Sequence, residues 1–353
     1  MNSLEVRKKT ITNIHESEFK FVIVSSGGGS NAIGSLLKVP GASNSILEAY
    51  IPYAKESLDF YLMKKPESYC SLDTTTRMAA RAYSAAKKID QKTNIEQLFG
   101  VAISATLSTN YEKKGSHRFH IAVQTRDFSQ SISCILNKGQ RTREEEEELV
   151  TEFVIALISD CCGFEFKYPE IKEDVEHIQI PAQKGWADLM SEKIKFVTSS
   201  NQQPKLIFPG AFNPMHDGHI AMSELANKEL SEEVFFEICI QNVDKPPLSY
   251  HQIKKTIDQF TDSKNWVLTK AGKFSDKAKL FPNSTFIIGA DTLVRIFDER
   301  FYASRREMME EFEIFNANNN NFLVFGREYK NKFIELNDIC LLYTSPSPRD
   351  KSS

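Results

Sequence analysis

Leu206-Ile207-Phe208-Pro209-Gly210-Ala211-Phe212-Asn213-Pro214-Met215-His216-Asp217-Gly218-His219 is the stretch on which the reading of this chain turns. It opens on an apolar run that reads as a strand and passes through a glycine-bearing turn. It then enters Ile220-Ala221-Met222-Ser223-Glu224-Leu225-Ala226, whose apolar residues recur at helical spacing. A strand, a tight turn and a helix start therefore follow in order, with two histidines three residues apart at the helix mouth. The first turn of a helix exposes backbone N–H groups and the positive end of the helix dipole, so it attracts phosphate. Two imidazoles there add donors that can follow charge developing on a phosphoryl group. An ordinary helix entry at Asp217-Gly218 is the plain alternative.

Working outward, the candidate strands around this stretch are Lys205–Phe208, Val234–Ile240, Trp266–Leu268, Thr285–Ile288, Phe322–Phe325 and Phe333–Leu336. Helical segments lie between them, which predicts a Rossmann-like doubly wound parallel sheet. A ligand crevice is expected at the C-terminal ends of its strands. Upstream, Phe19 to Val24 reads as a strand, followed by Ser25-Ser26-Gly27-Gly28-Gly29-Ser30 and a helix through Leu37. Thr74 to Ile89 and Thr142 to Cys161 read as helices, and Val101–Ser104, His120–Val123 and Ile132–Leu136 as strands. The run Glu144 to Glu148 favours a helix N-terminus electrostatically and reads as a solvated face. The predicted class is α/β with two domains. An N-terminal extension covers 1–20, an α/β sandwich 21–163, a linker with some local structure 164–203, and the doubly wound sheet 204–340.

Composition bounds the function. A chain of 353 residues has room for about two domains, and 41% hydrophobic with 26% charged residues reads as soluble and globular. A net charge of −3 argues against a general nucleic-acid-binding surface. No apolar run approaches the roughly 20 residues that span a bilayer, and Met1 to Lys20 is unlike a secretory signal. A cytoplasmic protein with no membrane partner follows as the expectation. The six cysteines, Cys70, Cys134, Cys161, Cys162, Cys239 and Cys340, form no CxxC pair, so reduced thiols and no zinc are expected.

Gly-x-Phe-x-Pro-x-His-x-Gly-His, as it stands from Gly210 to His219, resembles the signature of the nucleotidyltransferase superfamily. That superfamily includes nicotinamide and nicotinate mononucleotide adenylyltransferases, pantetheine-phosphate adenylyltransferases and cytidylyltransferases. The resemblance implies that Gly210 and Phe212 shape the loop, while His216 and His219 hold the triphosphate and stabilise the α-phosphate in the transition state. It also implies ATP as substrate, carried with Mg²⁺. Ile287-Ile288-Gly289-Ala290-Asp291-Thr292 resembles the family's Gly-x-Asp-Thr/Ser segment, which lines the nucleotide pocket through Gly289 and Asp291; the alternative makes Asp291 an N-cap. Lys245 resembles a lysine in the family's post-strand substrate loop, with a plain surface lysine as the alternative. Arg327, just after the Phe322–Phe325 strand, is placed to reach phosphates from the same rim. The family's later Ile-Ser-x-Thr-x-Ile-Arg-like segment has no counterpart after Leu336. Residues 341–353, with two prolines, four serines and no apolar period, are expected to be foreign or disordered.

The block from Val22 to about Cys162 resembles the C-terminal domain of CinA-type competence/damage-inducible proteins, the nicotinamide-nucleotide amidase family. Ser26-Gly27-Gly28-Gly29-Ser30, Val39-Pro40-Gly41-Ala42-Ser43, Tyr53 and the Met78-Ala79 helix carry the likeness. It implies an amidase pocket of Ser26, Gly28, Gly29 and Tyr53. The lysine position five residues after that tyrosine is Leu58, which can neither act as base nor lower the pKa of a serine hydroxyl. A structural glycine turn is the alternative. Two domains resembling successive steps of one pathway support each other by analogy.

The expected activity is adenylyl transfer from ATP to nicotinamide or nicotinate mononucleotide. The alternatives are cytidylyl transfer to a phosphorylated alcohol and a nucleotide-sensing protein with its chemistry lost. The partners expected are small-molecule nucleotides, with a homo-oligomer compatible with this reading. A class I aminoacyl-tRNA synthetase shares His-x-Gly-His, but this chain is short and acidic and lacks a lysine-rich partner loop.

Overall fold

Two six-stranded sheets organise the computed structural model, which describes residues 3–111, 113–165, 167–241, 247–260, 264–329 and 332–334. The chain divides into two units, Met1–Ile194 with Val243–Lys255, and Lys195–Asn242 with Thr256–Ser353.

The sheet of the first unit contains β1 (Lys20–Gly27), β2 (Ile46–Tyr50), β3 (Leu98–Thr106), β4 (His117–Gln124), β5 (Phe128–Leu136) and β6 (Val175–Pro181), in the order β2-β1-β3-β4-β5-β6. The first three are parallel and the rest antiparallel. Phe21-Val22-Ile23-Val24 is an unbroken apolar run because both faces of β1 are covered. Phe21 and Ile23 join a core with Ile33 and Leu36 of the Asn31–Lys38 helix and Val150, Phe153 and Val154 of the Arg143–Cys161 helix. Val22 and Val24 face Met78, Ala79, Ala82 and Ala86 of the Leu72–Ile89 helix. That helix lies close on β3: a Cβ at Gly100 would stand 2.1 Å from the Tyr83 nitrogen. The predicted sandwich is therefore present, with longer strands than the periodicity marked.

The second sheet contains β7 (Phe196–Thr198), β8 (Leu206–Pro209), β9 (Val234–Cys239), β10 (Asn265–Thr269), β11 (Thr285–Gly289) and β12 (Asn321–Phe325). Its order is β12-β11-β8-β9-β10-β7. Five strands are parallel, and β7 runs antiparallel to β10 at the edge. From β8 the chain winds outward through β9 and β10, then returns to the other side of β8 for β11 and β12. The topology reverses between β8 and β11, where open α/β sheets place their ligands. Ile207, Phe235, Val267, Phe286 and Ile288 form the core under one face with Ala278, Phe281, Leu293 and Phe315.

Three expectations need correcting. The stretch 164–203, read as a linker, gives β6 to the first sheet and β7 to the second; both are edge strands, and β7 is only three residues long, so neither shows a strong burial period. The last strand, read as Phe333–Leu336 of the large sheet, is β14 (Lys332–Ile334). It pairs antiparallel with β13 (Arg327–Tyr329), so its hydrogen bonds go to that neighbouring strand and not to the large sheet. The acidic run is solvated only in part: Glu144 and Glu145 are exposed, but Glu146 is fully buried, accepting from the Ser108 N–H at 2.6 Å and bonding Nδ1 of His117 at 2.8 Å. Among the described residues no helix is long and apolar enough to cross a membrane.

Candidate active site

Register brings the glycine turns of the second unit to one edge. Ile207 pairs with Phe286 and Pro209 with Glu237, while Gly289 pairs with Phe325. Gly210, Gly289 and Gly326 therefore leave neighbouring strands on the same side of the sheet, with Gly210 and Gly289 flanking the topological reversal.

Gly210 has no room for a side chain, since a Cβ there would lie 2.5 Å from Cζ of Phe212. Phe212 itself holds a left-handed backbone, φ 42°, which costs a non-glycine residue on the order of 1–3 kcal/mol. Burial of its ring, only 1% exposed, offsets that cost. The ring sits among Phe208 (centroids 5.5 Å), Phe236 (5.2 Å), Phe260 (5.9 Å) and His219 (5.1 Å). The Asn213–Pro214 peptide bond that follows is cis.

His216 takes the N-cap position of the Asp217–Leu230 helix and His219 the third helical position. The His216 N–H donates to Nδ1 of His219 at 3.3 Å, and the two rings stack at 3.6 Å with 25° between planes. Nδ1 of His219 must therefore be unprotonated, which leaves the ring proton on Nε2. Burial, and secondly the neighbouring His216, hold the His219 pKa below its usual value. His216 is exposed and His219 half-buried, so the pair presents donors to solvent at the mouth of the helix. At Gly218 a Cβ would come within 3.2 Å of the His216 ring, so the glycine leaves space for that stack.

Gly289, not Asp291, is the N-cap of the Ala290–Ile296 helix, which corrects the plain capping alternative. The Asp291 side chain is exposed and lies back over Gly289, where a Cβ would come 2.7 Å from Oδ1. Lys245 lies outside the described residues. So does the side chain of Arg327, whose backbone belongs to β13.

Sequence reasoning missed two features here. Gln259 bonds the loop on both sides of the cis peptide, through the carbonyl of Phe212 and the N–H of Met215. Glu237, one strand over from Pro209, forms a buried ion pair with Lys277 at 2.8 Å, the two side chains being 1% and 5% exposed. Thr269 also donates to Glu237, and Lys277 reaches the Ala271 carbonyl at 2.6 Å. The backbone of Glu237 takes the Gly210 N–H at 3.0 Å, so this network sits directly beside the loop. A glutamate inside the otherwise apolar Val234–Cys239 was the available signal. Among the described residues no three His, Cys, Asp or Glu side chains gather as a metal-holding group.

In the first unit the glycine turn is filled by the protein itself. A Cβ at Gly28 would meet Leu107 at 2.5 Å and one at Gly29 would meet Ile103 at 2.5 Å. The N–H groups of Gly29 and Asn31 both donate to Oε1 of Glu147, at 2.8 and 3.1 Å. Ser26 donates its hydroxyl to the Pro52 carbonyl at 3.1 Å. Tyr53 is 69% exposed, while Leu58 is buried against Val22, Val24 and Met78. Lys55 lies 5.7 Å over the Tyr69 ring. The structure thus gathers Ser26, Gly28 and Gly29 but supplies Ser26 with no base among the contacts described.

Residues 207–338 match the sequence model of a family described as cytidylyltransferase-like, so a cytidylyltransferase-like domain occupies the part of the chain from β8 onward. No curated protein matches the chain in sequence. Similar solved structures include the competence/damage inducible protein CihA from Agrobacterium tumefaciens, 16% identical over 45% of this chain and 91% of that one, with a TM-score of 0.33. A competence or damage-inducible protein from Enterobacter asburiae is 14% identical over 46% and 99%, with a TM-score of 0.37. A CinA superfamily protein from Klebsiella pneumoniae is 12% identical over 46% and 99%, also at 0.37. These likenesses assign no activity to the first unit.

Proposed function

We propose that the cytidylyltransferase-like domain, a nucleotidyltransferase domain, moves the adenylyl group of ATP onto the phosphate of nicotinamide or nicotinate mononucleotide. The observation that carries this reading is the stacked His216–His219 pair at the mouth of a 14-residue helix, beside the reversal point of the sheet. An oxygen of the acceptor phosphate attacks the α-phosphorus, the bond from that phosphorus to the bridging oxygen breaks, and pyrophosphate leaves with the bonding pair. No covalent enzyme intermediate is needed, so the protein's work is positioning and neutralising charge.

His219, proton on Nε2, donates toward the α-phosphate, and His216 adds a second ring donor from the same turn. The helix N-terminus supplies partial positive charge along the same direction. Mg²⁺ arrives with the triphosphate and reduces its internal repulsion. Gly210 and Gly218 leave room for the Phe212 ring and for the His216–His219 stack, and Asp291 stands on the adjacent turn as a candidate ribose partner.

A second reading is cytidylyl transfer to a phosphorylated alcohol, whose transferred group, though not its acceptor, is the one in the family description. Pyrophosphate release from ATP or CTP, each with mononucleotide and phospho-alcohol acceptors, separates the two. Release only from CTP would sink the adenylyl reading, and release from neither would sink both.

For the first unit the contacts favour a structural glycine turn over amide hydrolysis. Ser26 is engaged by a carbonyl, the loop donors are engaged by Glu147, and Leu58 is core. Absence of ammonia release from nicotinamide mononucleotide is the expected result.

A further inference from the structure

The loop leading to the two histidines is held by a side chain that arrives from 44 to 47 residues further along the chain. Gln259 lies in the turn after the Tyr250–Ile257 helix. Its Nε2 donates to the Phe212 carbonyl at 2.8 Å and also to the Thr256 carbonyl at 3.3 Å. Its Oε1 accepts from the Met215 N–H at 2.8 Å. One amide thus ties together the two ends of the segment that contains the cis Asn213–Pro214 bond. The adjacent Phe260 packs on Phe212 at 5.9 Å and on Phe236 at 5.1 Å, so the same short turn grips the loop by ring and by amide.

The chemistry of the two bonds is specific to an amide. A carboxylate accepts but cannot donate to a carbonyl, an ammonium donates but cannot accept, and an aliphatic chain does neither. The bonded groups are main-chain groups of an irregular segment, which need such partners when they are shielded from water. Met215 precedes His216, whose N–H sets the orientation of His219. Fixing Met215 therefore fixes the start of the chain of contacts that aims both rings.

We propose that Gln259 is a positioning residue for nucleotidyl transfer: it sets the Phe212–Met215 loop, and through it the His216–His219 pair, without touching substrate. This rests on the function proposed above, so the test has one readout tied to turnover and one that is not.

Full-length wild type, Gln259→Leu and Gln259→Glu are compared for pyrophosphate release from ATP with nicotinamide mononucleotide. Deuterium exchange of the peptide covering residues 211–217 is followed in parallel. Gln259→Leu is expected to lower kcat by about tenfold to a hundredfold with the KM for ATP changed less than about threefold, because misplacement by about 1 Å is enough for such a loss. Exchange at Met215 should speed up by at least about tenfold as its hydrogen bond is lost. Gln259→Glu keeps the acceptor for Met215 but cannot donate until protonated. Its activity relative to wild type at the same pH should therefore climb as pH falls from about 8 toward about 5. A kcat and an exchange rate both at wild-type values in Gln259→Leu overturn the proposal, and so does a flat pH ratio in Gln259→Glu. If Gln259→Leu does not fold, the Gln259→Glu series decides alone. If wild type releases no pyrophosphate from any nucleotide, the functional reading fails, and the exchange at Met215 still decides whether Gln259 holds the loop.

Discussion

The backbone N–H of His216 donates to Nδ1 of His219, three residues on, and this bond makes the second histidine both a helix cap and a ring of fixed tautomer. Capping and the proposed chemistry therefore share one side chain, and substitutions can separate them.

His219→Asn keeps an oxygen able to accept from the His216 N–H but removes the Nε2 proton. His219→Ala removes both. Turnover should fall by about a hundredfold or more in each, the size of loss seen when one transition-state donor is deleted. Only His219→Ala should also lose about 0.5–2 kcal/mol of stability, the usual worth of an N-terminal cap. Urea unfolding beside a pyrophosphate assay reads both; near-normal turnover in His219→Asn would remove the histidine from the chemistry.

The pH dependence follows from the same bond. The folded-state pKa of His219 lies below the ordinary 6.5 because burial and the adjacent His216 disfavour its charge. A depressed histidine pKa means the folded form binds its proton less readily than the unfolded form. Its contribution to stability is fully present above the unfolded pKa and fades as pH falls through the folded one. Turnover should follow the same acid limb. A histidine titration followed by NMR should place His219 below 6.5, and a midpoint above that value would contradict the packing described.

Glu147 predicts a behaviour of the first unit. Gly29 and Asn31 both give their N–H groups to its carboxylate, so Glu147→Ala should cost about 1–3 kcal/mol through stranded donors. Inorganic phosphate should recover part of that loss in the variant and do little for wild type, because an anion can then reach the vacated donors. Equal phosphate effects on the two proteins would show that the carboxylate does not occupy an anion-receptive cradle.

The buried pair in the second unit should show strong coupling. Removing one partner, as in Lys277→Met or Glu237→Leu, strands a buried charge and should cost roughly 3–5 kcal/mol. The double replacement should be much milder than the sum. A double-mutant cycle by denaturant unfolding measures this, and simple additivity would mean the charges do not interact across their 2.8 Å separation.

The second sheet was legible because its parallel strands are mostly apolar runs with helical segments between them, and two of them, β8 and β11, end at a glycine that leads into a helix. The histidines could be placed for the same reason: strand, turn and helix mouth are contiguous in sequence. What the sequence hid depends on contacts between distant positions. Gln259 looks like any glutamine near a helix end until the fold carries it to Phe212 and Met215. Glu146 and Glu147 belong to a run of five like charges, and only the packing of the Arg143–Cys161 helix separates the buried Glu146 and the half-buried, backbone-bonded Glu147 from the exposed Glu144 and Glu145. The edge strands β6 and β7 have a neighbour on one side alone, which leaves little alternation for a pattern to find. The alternative that made Asp291 a cap falls two positions late, because Gly289, lacking a side-chain acceptor, is a weaker capping signal than an aspartate.

Phe212 has a broader consequence. Its ring is rooted among Phe208, Phe236 and Phe260, yet its backbone is part of the loop that leads into the His216–His219 turn. Trimming any one of those aromatics would loosen that loop from below, so catalytic precision should decay with warming before the unit as a whole melts. Selection on turnover would then be felt by interior residues that never meet a nucleotide.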